Sequence, residues 1–198
     1  SLLTVGGGTE DQGFGSVRYG QKLSESTFLR GTLNAVIRDE SLDSSGVKGT
    51  GDHGDSEMAN IRLDSQLSSH DDLMLQANVV RYRPRFAFMG KALISPPGPI
   101  GWEVDDFGLD GVNGSMQAKW IHRGTLGDEY QLNMLFTQTN WQIKLHEMER
   151  WQHIGDFQHT LPVMAGHHLV WGINYQIIDD QFVNSQTLSY LPAELTRH

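Results

Sequence analysis

From Leu29 the odd positions read Leu29, Gly31, Leu33, Ala35, Ile37, and the even positions read Arg30, Thr32, Asn34, Val36, Arg38. Successive side chains leave a strand on opposite sides, so this period of two predicts a β-strand with one apolar and one polar face. The pattern returns at Ala59, Ile61, Leu63 against Asn60, Arg62, Asp64, and at Leu73, Leu75, Ala77, Val79 against Gln76 and Asn78. It appears again at Tyr130, Leu132, Met134, Phe136 against Gln131, Asn133, Thr137, and at Leu169, Trp171, Ile173, Tyr175 against Val170, Gly172, Asn174, Gln176. Weaker versions cover 2–8, 14–23, 112–123 and 152–162, which brings the expectation to about nine strands. Helical periodicity is nearly absent. The chain reads as all-β, an antiparallel up-and-down meander in one domain spanning 1–198.

The connections alternate in length. Short turns are expected at Ser24-Glu25-Ser26, Ser69-His70-Asp71, Leu126-Gly127-Asp128 and Ala165-Gly166-His167. Between them fall long excursions at 39–57, about 86–111 and 183 onward, with smaller tips at Thr9–Gln12 and Leu145–Glu149. A meander places alternate connections at opposite ends of its sheet. One end therefore carries tight turns and the other carries the long loops, which is the asymmetry of an outer-membrane barrel. The polar parity is rich in Gln, Asn and Thr, which suits a packed lumen better than a free surface.

Charge sharpens this picture. The chain carries 15 Lys+Arg against 24 Asp+Glu, a formal net charge of −9. Two stretches, Asp39–Glu57 at −5 and Glu103–Asp110 at −4, account for all of it. Both are rich in Gly, Ser and Asp and read as solvated loops. An acidic chain is a poor partner for nucleic acid, whose binding needs a surplus of Lys and Arg. Without Cys there is no disulfide, thiolate nucleophile or Cys-based zinc site. No apolar run reaches the 18 residues of a membrane helix, but barrel strands show only every second residue to lipid and escape that test. No signal peptide is visible at the start.

The stretch Thr4-Val5-Gly6-Gly7-Gly8-Thr9-Glu10-Asp11-Gln12-Gly13-Phe14-Gly15-Ser16-Val17-Arg18-Tyr19-Gly20 resembles the start of the barrel in TonB-dependent outer-membrane receptors. Phe28–Asp39, Ile61–Asp64, Leu73–Gln76 and Val170-Trp171-Gly172-Ile173-Asn174-Tyr175 resemble successive strands of that family. The resemblance implies a bacterial outer-membrane receptor for energy-coupled uptake of a scarce nutrient, of the iron-siderophore or cobalamin kind. It implies no bond chemistry and no cofactor. In that family a plug fills the barrel and touches a periplasmic energy-coupling protein. Neither plug nor coupling box lies within these 198 residues, and about nine strands fall short of the family's roughly 22. The chain is expected to be the N-terminal part of such a barrel with the plug missing, reaching the coupling protein only through that plug. Its close, Leu191-Pro192-Ala193-Glu194-Leu195-Thr196-Arg197-His198, lacks the usual aromatic terminus.

Arg30, Asn34, Arg62, Gln76 and Asn133 are the candidate ligand-binding residues of the lumen, with the long loops forming its mouth. Arg81, Arg83 and Arg85 continue the apolar parity beyond Leu73–Val79, where three guanidinium groups would meet lipid headgroups and lipopolysaccharide phosphates. The other reading of these Arg is that Pro84 ends the strand and they keep a loop wet. Trp120, Tyr130 and Trp171 lie near strand ends on the apolar parity, as an interfacial belt requires.

Other motifs carry less. Gly13-Phe14-Gly15-Ser16-Val17 and Asp106-Phe107-Gly108 imitate kinase elements without the phosphate-pairing Lys or catalytic-loop Asp–Asn pair. Asp52-His53-Gly54-Asp55 offers oxygen and imidazole ligands on a flexible loop, but solvated loop is the simpler reading, and no metal site is assigned. His153 and His159 share a face about 20 Å apart and cannot chelate one ion. Two alternatives stand beside the receptor: a soluble β-rich binding module or carbohydrate-active protein, and a small closed eight-stranded barrel. A glycosidase needs two converging carboxylates about 5–9.5 Å apart, and Glu147 and Glu149 are poorly placed for that at a loop tip. Nine antiparallel strands cannot close on themselves; eight would.

Overall fold

The computed structural model describes residues 1–9, 11–41, 45–46, 51–93, 100–143, 146–164 and 166–184, with side chains except at 87–107, 146 and 184. Nine strands form one sheet in sequence order: β1 Leu2–Gly6, β2 Asp11–Ser24, β3 Thr27–Arg38, β4 Gly54–Gln66, β5 Asp71–Leu93, β6 Ile100–Arg123, β7 Glu129–Ile143, β8 His146–Met164 and β9 His167–Asn184. Every pairing is antiparallel and joins consecutive strands. No helix occurs among the described residues. The all-β meander and its strand number are as the alternation predicts. β1 and β9 each have one unpaired edge among the described residues, so the nine strands do not close on themselves as the eight-stranded alternative requires.

The expected tight turns fall where Gly and short polar residues permit them. Gly127 (φ 82°) and Gly166 (φ 78°) take the left-handed backbone that the β6–β7 and β8–β9 turns need. Gly124 N–H donates to Asp128 O at 2.8 Å to fasten the first of these.

One expected loop is strand instead. Residues 86–111 were expected to form an excursion; most of them pair, from Arg85↔Gly108 through Phe86↔Phe107 to Leu93↔Ile100. Phe86, Phe88, Trp102, Val104 and Phe107 are strand formers, and they outweigh the carboxylates that suggested a solvated loop. Pro84 does not end β5. It sits where the β5–β6 ladder skips between Tyr82↔Gly111 and Arg85↔Gly108, so its missing N–H costs no ladder bond there. Likewise Gly54–Glu57 belong to β4 and Glu147–Glu149 to β8. Residues 10, 42–44, 47–50, 94–99, 144–145, 165 and 185–198, with the expected loop segments on them, lie outside the described residues.

Register fixes the faces. Leu29, Leu63, Leu75, Ala118, Met134, Gly155 and Tyr175 oppose one another strand by strand across the sheet. The next row on the same face is Gly31, Ile61, Ala77, Met116, Phe136, His153 and Ile177. Among the described residues no apolar side chain is buried, and Leu33, Ile61, Met116, Ile173 and Ile177 are all more than half exposed. The sheet therefore has an apolar face but no core. The opposite face is the more crowded one: Asp72, Met74, Gln76, Asn78, Val80 and Tyr82 of β5 are half-buried, whereas Leu75, Val79 and Arg81 on the apolar side are exposed.

Candidate functional site

The polar face is a lattice of short cross-strand hydrogen bonds. Ser16 Oγ donates to Asn34 Oδ1 at 2.5 Å, Asn78 Nδ2 to Ser115 Oγ at 2.7 Å, Asn113 Nδ2 to Thr139 Oγ1 at 2.6 Å, and Gln117 Nε2 to Asn133 Oδ1 at 2.8 Å. Such pairs arise because opposed residues on adjacent strands stand about 4.5–5.5 Å apart at Cβ. Neutral amides satisfy one another here without bringing charge onto a half-buried surface.

All five candidate lumen residues lie on this face, but not in one place. Arg30 opposes Arg62, Arg62 opposes Gln76, and Gln76 opposes Gln117, so three of the five share one row. Asn133 opposes Lys119 one row nearer the tight turns and joins the group through Gln117. Asn34 stands four residues along β3 from Arg30, about 13 Å away at strand rise, in the row of Met58, Val80 and Asn113. Arg62 is not free: its Nε and Nη2 donate to Asp64 at 2.7–3.0 Å. Arg150 is held likewise by Asp180, with Nε at 2.6 Å and Nη2 at 2.8 Å.

Arg18, Arg30 and Lys119 on the same face make no ion pair or hydrogen bond among the described residues. Arg18 opposes Thr32, one row from Arg30. An acidic chain thus places on its polar face cations that no carboxylate holds by a hydrogen bond, Arg30 alone among them feeling Asp64 through space. Arg18 and Lys119 were missed in sequence because the charge tally is global; only the register sorts the cations by face.

The apolar face has two charged or aromatic margins. Toward the long-loop end, Arg81, Arg83 and Arg85 do continue the apolar parity, and carboxylates meet two of them across the strands. Arg83 Nη2 lies 2.5 Å from Asp55 Oδ2 and 3.8 Å from Glu57 Oε1, and Arg85 Nη2 lies 3.8 Å from Asp110 Oδ2. The arrangement is a ladder of alternating charge beyond the apolar rows, with a recess of ≈ 440 Å³ beside Arg81, Asp110, Gln142, Glu147 and Glu149. Glu149 accepts from Gln138 at 3.2 Å and from Trp151 at 2.9 Å, and it lines this recess together with Glu147. His53 lies 3.7 Å from Glu40, Asp55 is taken by Arg83, and no group of three metal-binding side chains occurs among the described residues.

Toward the tight-turn end stand the aromatic residues. Trp120 stacks on His122 at 5.7 Å, His122 meets Tyr130 at 5.9 Å, Tyr130 stacks on His159 at 4.0 Å, and His159 meets Trp171 edge-on at 5.5 Å. They pack on one another and on Phe157 and His70, and no second sheet covers them among the described residues. Asp71, at the turn edge beyond the apolar rows, accepts from Ser68 Oγ at 2.6 Å and Trp120 Nε1 at 3.2 Å and lies 2.8 Å from His122 Nδ1. The Ser68 bond first, then the His122 and Trp120 bonds, hold its carboxyl below the usual carboxylate range.

No protein-family model matches this chain, and no curated protein or solved structure matches it either. The class defined here is that of the fold alone: a nine-stranded antiparallel meander with one apolar and one polar face.

Proposed function

We propose that the chain is the barrel portion of a bacterial outer-membrane receptor, its apolar face against lipid and its polar face lining a ligand path. The observation that carries this is an apolar face that none of the described residues covers. A soluble sheet of this size buries such a face under helices or a second sheet; bilayer hydrocarbon is the other medium that covers it without cost. The dimensions agree. Leu29–Ile37 on β3 and Leu169–Ile177 on β9 each comprise nine residues, eight steps that run about 26 Å along the strand and about 20 Å upright at a tilt of about 40°, against a band of about 25 Å in outer-membrane barrels. Aromatic residues at one margin and charged ones at the other suit the two interfaces.

Further strands from outside the described residues would pair the open edges of β1 and β9, which are otherwise invitations to aggregate. The cargo best matched to Arg18, Arg30 and Lys119 is anionic and oxygen-rich, as an iron-siderophore complex is, and lipopolysaccharide phosphates suit the outward Arg81, Arg83 and Arg85. The role is binding and passage without bond chemistry, with energy coupling through a plug segment beyond these residues. Reconstitution tests the core of the reading. Refolded with phospholipid vesicles, the chain should float with them and resist alkaline carbonate washing. A monodisperse chain that needs no detergent and stays in the aqueous fraction would favour the soluble module instead.

A further inference from the structure

The polar face changes character near its long-loop end. One register row crosses all nine strands from Gly6 to Phe182 without a charged side chain. Phe14, Tyr82, Trp141, Met148 and Phe182 stand in it. Tyr82, Trp141 and Phe182 lie on every second strand, so their backbones are about 10 Å apart. Neighbours lay these rings across the sheet. A Cβ on Gly111 would collide with the Tyr82 ring and one on Gly6 with the Phe14 ring, so each ring covers a glycine of the adjoining strand. Trp141 Nε1 donates to Met148 Sδ at 3.2 Å, which turns the indole toward β8. A ring that lies on backbone turns its other face away from the sheet.

The next row toward the tight turns offers hydrogen bonds without net charge. Ser16 pairs with Asn34 and Asn113 with Thr139, while Asp180 neutralises Arg150. Each pair uses part of an amide's capacity and leaves Asn34 Nδ2 and Asn113 Oδ1 for an outside partner among the described residues. Asn34, set apart from the other lumen candidates, belongs to this site. Beside Tyr82 a recess of ≈ 500 Å³ lies over Val36, Ser56, Pro84 and Phe86, within the range of ligand sites. The ions at its rim are held: Arg38 by Asp11 at 3.2 Å, Asp55 by Arg83 at 2.5 Å, Arg85 by Asp110 at 3.8 Å, and Asp52 accepts from Ser41 N–H at 2.8 Å.

We infer that this row binds a neutral oligosaccharide, laid across the strands with pyranose faces on Tyr82, Trp141 and Phe182 and hydroxyls on Asn34 and Asn113. A pyranose has an apolar C–H face and a rim of hydroxyls, so it calls for aromatic planes and amides together, without charge. A lipid tail would leave the amides unpaired. An anion would find its cation at Arg30, six residues along β3 from Val36 and about 20 Å away. The inference goes beyond the receptor reading and does not depend on a membrane, because a water-facing sheet presents the same row.

Calorimetric titration of the whole chain, refolded in lauryldimethylamine-oxide micelles, with maltohexaose and with cellohexaose is the test. At least one should bind saturably with a Kd of about 1 mM or tighter. W141A and F182A, on different strands and each compared at unchanged far-ultraviolet dichroism, should weaken binding about tenfold. W141F should keep most of the affinity, and R18Q/R30Q should keep all of it, which separates this site from the anionic cargo. No saturable heat with either sugar up to about 10 mM overturns the inference. So does sugar binding that W141A and F182A leave intact, or tighter binding of N-acetyltryptophanamide than of either sugar, which would mark a merely apolar cleft.

Discussion

Replacing Ile61 with Arg separates a lipid-facing sheet from a water-facing one by magnitude alone. Ile61 is the middle outward residue of β4, between Ala59 and Leu63, opposed by Gly31 and Ala77, and it is 52% exposed. In water a half-exposed surface substitution of this kind changes stability by about 0.5 kcal/mol or less. At the middle of a hydrocarbon band the same Arg costs about 2–4 kcal/mol, roughly 30- to 700-fold in the folding equilibrium. Asn60→Arg is the matched control, one residue away on the polar face. Urea titration in short-chain phosphatidylcholine vesicles, followed by intrinsic tryptophan emission, measures both. The expected order is wild type, then Asn60→Arg close behind it, then Ile61→Arg well below. Equal midpoints for the two variants would refute the assignment of the apolar face to lipid.

Other perturbations reach different parts of the account. A methyl group on Gly155 would stand 2.0 Å from Tyr175 Cε1, so Gly155→Ala should cost about 1–3 kcal/mol by displacing that ring, and Gly155→Ala/Tyr175→Leu should recover much of it in the same urea titration. Arg83→Gln leaves Asp55 and Glu57 without their shared cation; because solvent screens the pair, the urea midpoint should barely move, while binding of lipopolysaccharide to the vesicles weakens. Asp71 has a folded-state carboxyl held below its unfolded value, so its contribution is complete above about pH 4 and is lost as pH falls through the lower folded value. Asp71→Asn should therefore flatten the acid limb of stability, and an unchanged limb in an acid titration would remove Asp71 as its source. Arg18→Gln/Arg30→Gln should reduce retention of an anionic iron chelate by the reconstituted chain without moving its urea midpoint, and equal retention would dissociate those cations from ligand binding.

Alternation made the faces legible because period two survives any change of neighbour: the parity of Leu29–Ile37 needs no partner to be seen. The turns at 24–26, 69–71 and 126–128 were equally local, written in Gly, Ser and Asp. The strand extensions were not. Over 100–110 four carboxylates and two glycines outweigh Trp102, Val104 and Phe107 in a local reading, and only the facing segment 85–93 turns them into a paired strand. The candidate site was half legible. Arg30, Arg62 and Gln76 come together because their strands are neighbours in register, whereas Asn34 looks equivalent in sequence and lies two rows away. Which Arg is neutralised was beyond the sequence altogether, since Asp64 is two residues from Arg62 and Asp180 is thirty from Arg150.

The central claim is that the odd side of β3 meets hydrocarbon. The chain has no Cys, so single cysteines placed in turn at 29–38 can carry a nitroxide without any background label, in the vesicle-reconstituted protein. Collision with dissolved oxygen, which concentrates in hydrocarbon, should be high at 29, 31, 33, 35 and 37 and low between them. Collision with a water-soluble nickel chelate should be low at those odd positions. Odd positions open to the nickel chelate, or shielded from both reagents as beneath a protein layer, would contradict the account.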